Sequence, residues 1–301
     1  MSLNSVNGSY IGGSYSSDLM FLLKVAENNK LRINPNSSSA LAVTTDSSAQ
    51  HRAVIGYGYD LVANRKTAVA DLTSAGVVLT PSQKQAINSL TSSTSGIPAG
   101  LVSLTLPSET VATALLQLAV TKRVPQFDAF LASNNISLPD SRERAALLSM
   151  WYQSPKYFKN SDGTLTSLSK ALASGNRAEV WYQMRYDSAA DGAQGSGILT
   201  RRYSESTYFG LYDTGPVTLQ EALQVYQVFT LNRTAMLAYD SKHAAQLQAT
   251  SDQSGYSMLT PKLNDPLGLG NAKDFLLSYL ESKYGVLNGV ALGGLLRLMY
   301  I

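Results

Sequence analysis

The chain has 301 residues, 44% of them hydrophobic, which is enough for one large or two modest globular domains. Only 15% are charged and the net charge is +3, so neutral polar groups carry most of the polarity, which suits a sugar-rich partner. There is no cysteine, which excludes disulfides, thiol catalysis and cysteine-ligated metals.

The N-terminus and the most apolar stretch predict neither a leader nor a membrane anchor. Residues 1–15 are rich in Gly, Ser and Asn, which predicts a flexible arm. No basic region followed by an apolar run opens the chain, so a signal peptide of the usual form is not expected. Residues 286–301 contain Asn288 and Arg297, so we expect a buried helix and no membrane span.

The first structural signal is a helix that ends close to an acidic residue. Apolar residues recur at helical spacing from Ser17 to Asn29, and Glu27 lies near the end of this segment. Glu27 is therefore a candidate catalytic acid. The alternative is an ordinary solvated glutamate on a short helix.

A β-hairpin is predicted next. Residues 41–45 alternate in polarity like a short strand, and residues 53–61 read AVIGYGYDL, a strand that ends in a tight Gly56–Gly58 turn closed by Asp60. The third glycine of a dinucleotide-binding fingerprint is missing, which excludes that function for the turn.

Helix-start signals dominate the following part of the chain. Thr80, a proline and Gln83 form a capping box that predicts a helix to about residue 92. Another helix is expected over residues 108–123, with Pro125 breaking it before residues 127–132.

The later helices are predicted in the same way. Asp140 and Glu143 are expected to cap an apolar helix that ends at Gln153. The capping box from Thr218 to Glu221 predicts a helix to about residue 249. Two more helices are expected near the C-terminus, over residues 271–284 and 286–299.

Five segments in a fixed order carry a resemblance to a known family. They are the helix bearing Glu27, the hairpin VIGYGYDL, and residues 143–153, 168–186 and 197–213. Together they resemble the phage-type lysozymes of glycoside hydrolase family 24, and they are especially similar to the branch that includes pesticin. The resemblance covers Leu19 to Asp213.

The resemblance implies an α+β, lysozyme-like fold that is predominantly α-helical, with a small β-hairpin lobe and an added C-terminal helical region. The expected organisation is a flexible arm over residues 1–15, a catalytic domain over residues 16–213 and a helical extension over residues 214–301. This extension is expected to pack on the catalytic domain, the alternative being a wall-binding or partner-docking module.

The implied activity is muramidase hydrolysis of the β-1,4 bond between N-acetylmuramic acid and N-acetylglucosamine. Glu27 matches the family's general acid. Asp60 is the first candidate for the second carboxylate and Asp46 the next, although Asp60 could equally cap the turn after the hairpin. The family threonine that would hold the attacking water is Val54 here. Four residues are candidates to replace it: Thr44, Thr45, Asp46 and His51.

Further family positions predict substrate contacts and a structural ion pair network. The predicted substrate-binding residues are Tyr57, Tyr59, Trp151 and Gln153, with a core position as the alternative for the tryptophan. Arg201, Arg202 and Glu205 match an RR-x-x-E helix and are expected to form an internal ion-pair network, with sugar contact as the alternative.

The expected partners are peptidoglycan glycan strands, with an immunity protein or a secretion carrier as further partners. No cofactor, metal or nucleic acid is expected, and the protein is expected to be a monomer. It would act in the periplasm or cell wall of a target cell, as a phage endolysin or as the lysozyme domain of a secreted antibacterial effector. The alternative function is a non-catalytic peptidoglycan-binding protein that keeps a lysozyme fold.

Overall fold

The computed structural model describes residues 14–47, 49–187, 196–211 and 218–251, together with four helical residues, Leu276, Ser278, Glu281 and Ser282. These residues are mostly α-helical and include one small three-stranded antiparallel sheet, which confirms the predicted α+β class. The predicted N-terminal arm and most of the two predicted C-terminal helices lie outside the described residues.

The chain forms two compact units, and each is described by itself. The hairpin unit is Leu19–Phe130, and the C-terminal unit is Leu131–Ile301 with Met1–Asp18. The elements up to the unit boundary are α1 (Tyr15–Ile33), α2 (Ser38–Leu41), β1 (Thr44–Thr45), β2 (Ala53–Ile55), β3 (Tyr59–Asp60), α3 (Ala68–Ser74), α4 (Pro81–Asn88) and α5 (Glu109–Ser133). The later helices are α6 (Arg142–Gln153), α7 (Ser167–Ser174), α8 (Arg177–Tyr182), α9 (Ser196–Phe209) and α10 (Leu219–Ser251).

The sheet has the strand order β1-β2-β3, and every pairing is antiparallel. Thr44 lies opposite Val54, and Val54 lies opposite Asp60. Because directly paired residues project to the same face, these three side chains share one face of the sheet. The other face carries Ala53, Ile55 and Tyr59, which are buried in the core, and the exposed Thr45.

Helix α5 differs from the prediction at its proline. The helix continues through Pro125 to Ser133, so the expected break is wrong. A proline removes one helical hydrogen bond, but apolar burial can compensate for that loss. Here the flanking turns are both held in the core, through Val120 on one side and Phe127 on the other.

Two predicted capping boxes are confirmed. In the first, the Gln83 amide N–H donates to Thr80 Oγ1, and Thr80 N donates to the Gln83 side chain at 2.9 Å. In the second, Glu221 N donates to Thr218 Oγ1 at 3.3 Å, and Thr218 N donates to Glu221 Oε2 at 3.2 Å. These caps satisfy N–H groups that the helices leave open.

The cap of α6 is different from the predicted one. Ser141 accepts the Arg144 N–H at 3.1 Å, so neither Asp140 nor Glu143 is the N-cap. Glu143 is almost fully buried and forms an ion pair with Arg177 instead. The local spacing assigned the Glu143 carboxylate to the start of α6, but this carboxylate pairs with Arg177, which is distant in the sequence.

Helix α10 belongs to the C-terminal unit, where it contacts α8 and α9. Its buried side is formed by Ala222, Val225, Val228 and Met236. Near its middle, Asp240 accepts the Tyr186 hydroxyl at 3.0 Å and lies 4.0 Å from the Arg185 guanidinium. No helix within the described ranges is long and apolar enough to cross a membrane.

Candidate active site

Glu27 lies where helix α1 is interrupted. The next residue, Asn28, has φ −156° and ψ 76°, so Glu27 ends the first helical segment of α1. Its half-buried carboxylate reaches the glycine turn between β2 and β3. A Cβ atom on Gly58 would lie 3.1 Å from Glu27 Oε2, and Gly58 has φ +73°. Both the backbone conformation and the close approach of Glu27 therefore favour glycine there.

Asn28 ties the helix interruption to the same turn. Its Nδ2 donates to the Gly56 carbonyl at 2.9 Å, and its Oδ1 accepts the Leu31 N–H at 3.0 Å. The second bond caps the helical segment that restarts after the interruption. One side chain thus fixes both the helical segment after Glu27 and the hairpin that faces Glu27.

The Tyr57 hydroxyl anchors the turn to helix α5. It donates to Glu109 Oε1 at 2.7 Å, and the same oxygen accepts Lys24 Nζ at 2.8 Å and Thr113 Oγ1 at 2.7 Å. Burial raises the pKa of Glu109, but the bonds from Lys24, Tyr57 and Thr113 together bring it below its ordinary value. Burial and then Glu109 raise the pKa of Tyr57, so its hydroxyl stays a donor.

Tyr59 is anchored in the same manner to helix α3. Its hydroxyl donates to Asp71 Oδ2 at 2.5 Å, and Thr67 Oγ1 donates to the same oxygen at 2.8 Å. Lys122 forms an ion pair with this carboxylate. Burial raises the pKa of Asp71, yet the bonds from Lys122, Tyr59 and Thr67 together hold it below its ordinary value.

These contacts give both hairpin tyrosines an interior position. Tyr57 is 2% exposed and Tyr59 is 3% exposed. The Tyr57 hydroxyl ties the glycine turn to Glu109 on α5, and the Tyr59 hydroxyl ties it to Asp71 on α3. Their predicted contact with a glycan stays a prediction, and it requires the buried rings to become accessible.

Asp60 lies at the end of β3 and forms two kinds of contact. Its Oδ1 accepts the Ala63 N–H at 2.7 Å, which is the turn-capping role considered as an alternative. Its Oδ2 lies 3.4 Å from Arg52 Nη1. The Asp60 side chain is about one quarter exposed, so part of it can be reached by a bound molecule.

Asp46 lies just after β1 and also contacts Arg52. Its backbone N–H donates to the Arg52 carbonyl at 2.9 Å, and its Oδ1 accepts the Arg52 N–H at 2.8 Å. Arg52 therefore contacts Asp46 through its backbone and Asp60 through its guanidinium. The structure brings both candidate second carboxylates to the same arginine.

The residues that could replace the missing threonine hydroxyl occupy different positions. Thr44 is exposed and lies directly opposite Val54 on the shared face of the sheet. Thr45 is next along β1 and therefore projects to the other side of the strand. His51 is exposed in the connection to β2, with φ +46°. Of these three, only Thr44 is paired with Val54.

Trp151 and Gln153 belong to the C-terminal unit. Trp151 is 5% exposed and packs edge-to-face on Phe158, with ring centroids 5.3 Å apart. This is the core position that sequence reasoning left open for it. Gln153 is half-buried at the end of α6, and its Oε1 accepts a hydrogen bond from Arg202. That bond leaves the amide NH₂ as the donor side of Gln153.

The RR-x-x-E segment forms the expected internal network. Glu205 is fully buried and forms ion pairs with Arg201 and Arg202. Ser149 Oγ donates to Glu205 Oε1 at 2.6 Å, and Arg201 also donates to the Ser149 carbonyl at 2.8 Å. The Arg202 guanidinium stacks on the Tyr157 ring at 4.1 Å. A buried carboxylate of this kind is tolerated because it is paired and hydrogen-bonded.

Sequence reasoning missed the residues that support the site. Asn28, Arg52, Asp71 and Glu109 hold the helix end and the hairpin, and none was predicted to do so. Only Asn28 carried a local signal, as an Asn directly after the candidate acid. Asp71 and Glu109 bond the hairpin tyrosines from 12 and 52 residues away, and Arg52 pairs with a carboxylate eight residues later; no local pattern marks these pairings.

Within the described part of the chain, no three His, Asp or Glu side chains gather into a metal site. No protein-family model matches the chain, and neither a curated protein nor a solved structure matches it. The lysozyme resemblance therefore stays a prediction that depends on the five ordered segments.

Proposed function

We propose that the protein is a peptidoglycan hydrolase of the muramidase type, with Glu27 as general acid. The observation that supports this most directly is the position of Glu27. Glu27 ends a helical segment, and its half-buried carboxylate lies next to Gly58, which has no side chain. Asn28 holds the glycine turn in place. A half-buried carboxyl next to a residue without a side chain is suited to donate a proton to a glycosidic oxygen bound there.

The second carboxylate would activate water or stabilise the oxocarbenium-like transition state. We propose Asp60 for this role, ahead of Asp46, because Asp60 shares a sheet face with Val54 and Thr44. Arg52 Nη1 of the guanidinium lies 3.4 Å from Asp60 Oδ2. Val54 has no hydroxyl. Thr44, which is paired with Val54 on the same face of the sheet, is the residue best placed to supply one.

Clearing of a peptidoglycan suspension tests the proposal. The wild-type protein should reduce turbidity, and Glu27→Gln should be slower by about 10²-fold or more, the scale of general acid catalysis. Glu281→Gln is the matched control, because Glu281 is an exposed glutamate of the C-terminal unit. Equal clearing by wild type and Glu27→Gln refutes the assignment. New reducing ends should be muramic acid, and glucosamine ends or amide cleavage would contradict the reaction.

The second group is tested with a matched set of variants. Asp60→Asn should reduce the rate more than Asp46→Asn, and Val54→Thr should preserve or raise it. An unimpaired Asp60→Asn variant would remove Asp60 from the proposal. Thr44→Val removes the hydroxyl of Thr44 and keeps the shape of the side chain. A clearing rate equal to that of wild type would exclude Thr44 from the proposal.

A second candidate function is binding to peptidoglycan without hydrolysis. It is favoured by Val54, because a valine cannot hydrogen-bond the water that the family's threonine would hold. Under this hypothesis the protein sediments with insoluble peptidoglycan, while wild type and Glu27→Gln release no reducing ends. For the hydrolase, we propose delivery into the periplasm of a target cell as an antibacterial effector or a phage endolysin. An immunity protein or a secretion carrier would be the corresponding partner.

A further inference from the structure

Arg52 joins the two aspartates that are candidates for the second catalytic group. Its backbone forms two hydrogen bonds with Asp46: the Arg52 N–H donates to Asp46 Oδ1 at 2.8 Å, and the Asp46 N–H donates to the Arg52 carbonyl at 2.9 Å. Its guanidinium faces Asp60, with Nη1 3.4 Å from Oδ2. Asp60 is the one ion-pair partner of Arg52 within the described ranges. The arginine therefore contacts the two aspartates in different ways.

The backbone of residue 52 is held by two neighbours. Besides its bonds with Asp46, Arg52 forms a parallel β-bridge with Gly96. The Gly96 N–H donates to the adjacent His51 carbonyl at 2.8 Å. Because alternate residues of an extended strand project to the same face, Arg52 lies on the face of the sheet that carries Val54. The guanidinium thus extends from a fixed point towards the row of side chains that includes the candidate carboxylate.

The contact gives Asp60 a partner on each carboxylate oxygen. Oδ1 accepts the Ala63 N–H at 2.7 Å, and Oδ2 faces the Arg52 guanidinium. Two points of attachment define the plane of a carboxylate, whereas one leaves it free to turn about its last side-chain bond. Within the described part of the chain, no further donor bonds this carboxylate. Loss of the arginine would therefore leave it held by Ala63 alone.

The length and exposure of this pair differ from those of a structural ion pair in the same protein. Arg201 and Glu205 lie 2.9 Å apart and are 6% and 0% exposed. The distance between Arg52 and Asp60 is 3.4 Å, and their side chains are 29% and 24% exposed. A partly exposed pair of this kind contributes little to folding stability. Its effect on the orientation of Asp60 can therefore be measured in a folded variant.

We propose that Arg52 is a positioning residue whose guanidinium orients the Asp60 carboxylate for hydrolysis. The inference rests on the proposed function, because it requires Asp60 to be the second catalytic group. It also assigns different tasks to the two candidate carboxylates. Asp60 acts on water or on the transition state, whereas Asp46 holds the backbone from which the arginine extends.

The test measures the release of reducing ends by wild type, Arg52→Met, Asp60→Asn and the double variant over a range of peptidoglycan concentrations. Arg52→Met should lower the limiting rate about tenfold, because a displacement of about 1 Å costs about 10²-fold and the Ala63 bond still limits the movement. The double variant should be no slower than Asp60→Asn alone, since Arg52 acts through the carboxylate that this change removes.

Three results overturn the proposal. The first is a double variant that is slower by the product of the two single effects, because Arg52 would then act independently of Asp60. The second is an effect of Arg52→Met confined to the peptidoglycan concentration that gives half the limiting rate, which indicates a direct contact with the glycan. The third is an unimpaired Asp60→Asn variant.

Two further variants complete the test. Arg65→Met is the matched control, because Arg65 is a half-buried arginine of the same unit whose Nη1 donates to the Val62 carbonyl at 3.1 Å; it should keep the wild-type rate. Arg52→Lys keeps the positive charge and should recover part of the rate. If urea titrations show that Arg52→Met is unfolded, Arg52→Lys takes its place in the comparison with Asp60→Asn.

The controls separate this inference from the proposed function. If Glu27→Gln is slow while both Arg52 variants clear peptidoglycan at the wild-type rate, the hydrolase assignment stands and the role of Arg52 is refuted. If Glu27→Gln clears as fast as wild type, the proposed function fails and this inference fails with it.

Discussion

Replacing Gly58 by alanine would test whether the glycine turn holds the Glu27 carboxylate in a productive position. The new Cβ atom would meet Glu27 Oε2 at 3.1 Å, a contact that requires the carboxylate to move by a few tenths of an ångström. A misplacement of about 1 Å costs about 10²-fold in rate, so this smaller shift should cost about tenfold. The left-handed backbone of residue 58 adds about 1 kcal/mol of instability in alanine.

Gly96 provides a control for the backbone cost. Its φ is +74°, against +73° for Gly58, but no atom lies within 4 Å of its Cβ position. Its N–H donates to the His51 carbonyl at 2.8 Å, and alanine keeps this bond. Gly96→Ala should therefore lose a similar free energy of unfolding in urea while clearing peptidoglycan at the wild-type rate.

The comparison of the two alanine variants decides the question. If both lose the same stability and only Gly58→Ala loses activity, the contact with Glu27 is responsible. If both clear peptidoglycan at equal rates, the position of the Glu27 carboxylate does not matter for activity and the reasoning is refuted. Glu27→Gln, combined with Gly58→Ala, should be no slower than Glu27→Gln alone, since the displaced group no longer transfers a proton.

Three further predictions concern the groups that hold the hairpin. Tyr59→Phe should lower the free energy of unfolding by about 1.5–3 kcal/mol in urea titrations at neutral pH, because it removes a hydrogen bond to a charged group, whereas half-buried Tyr182→Phe should change it by less. The pKa of Asp71 is lowered from 3.8 on folding, so the stabilisation that its carboxylate gives the folded state is fully present above pH 3.8 and is lost as the pH falls through the lower folded pKa. The free energy of unfolding of Asp71→Asn, measured against pH, should lack this loss. Asn28→Ala should lose about 1 kcal/mol of stability and at least tenfold in clearing rate, and an unchanged rate would show that its bond to Gly56 is not needed.

Local sequence signals predicted the elements well where the controlling contacts are also local. The boxes at Thr80 and Thr218 need only a hydroxyl and an acceptor three residues later, and both helices begin there. The Gly56–Gly58 turn was predicted for the same reason, because positive φ values favour glycine. The end of the first helical segment beside Glu27 also followed from the apolar spacing.

The same signals were insufficient where distant groups compete. Pro125 carries a local preference for a helix break, but core packing on both sides keeps α5 continuous. Glu143 lies at a position typical of a helix start. Its carboxylate is instead buried in an ion pair with Arg177. The two hairpin tyrosines, Tyr57 and Tyr59, are held by carboxylates 52 and 12 residues later in the chain, which periodicity cannot locate.

The register of the sheet changes the meaning of Val54. In a residue-by-residue comparison, Val54 is the absence of a hydroxyl, and that absence favours a protein without catalytic activity. In the structure, however, the row that contains Val54 continues to Thr44 on one side and to Asp60 on the other. Neighbouring strands lie about 4.8 Å apart, so Thr44 and Asp60 are about 10 Å apart across Val54, a gap that a chain of two waters can span and a single water cannot. The Thr44 hydroxyl could therefore help to hold a chain of waters that reaches Asp60, so valine at position 54 alone does not argue against hydrolysis.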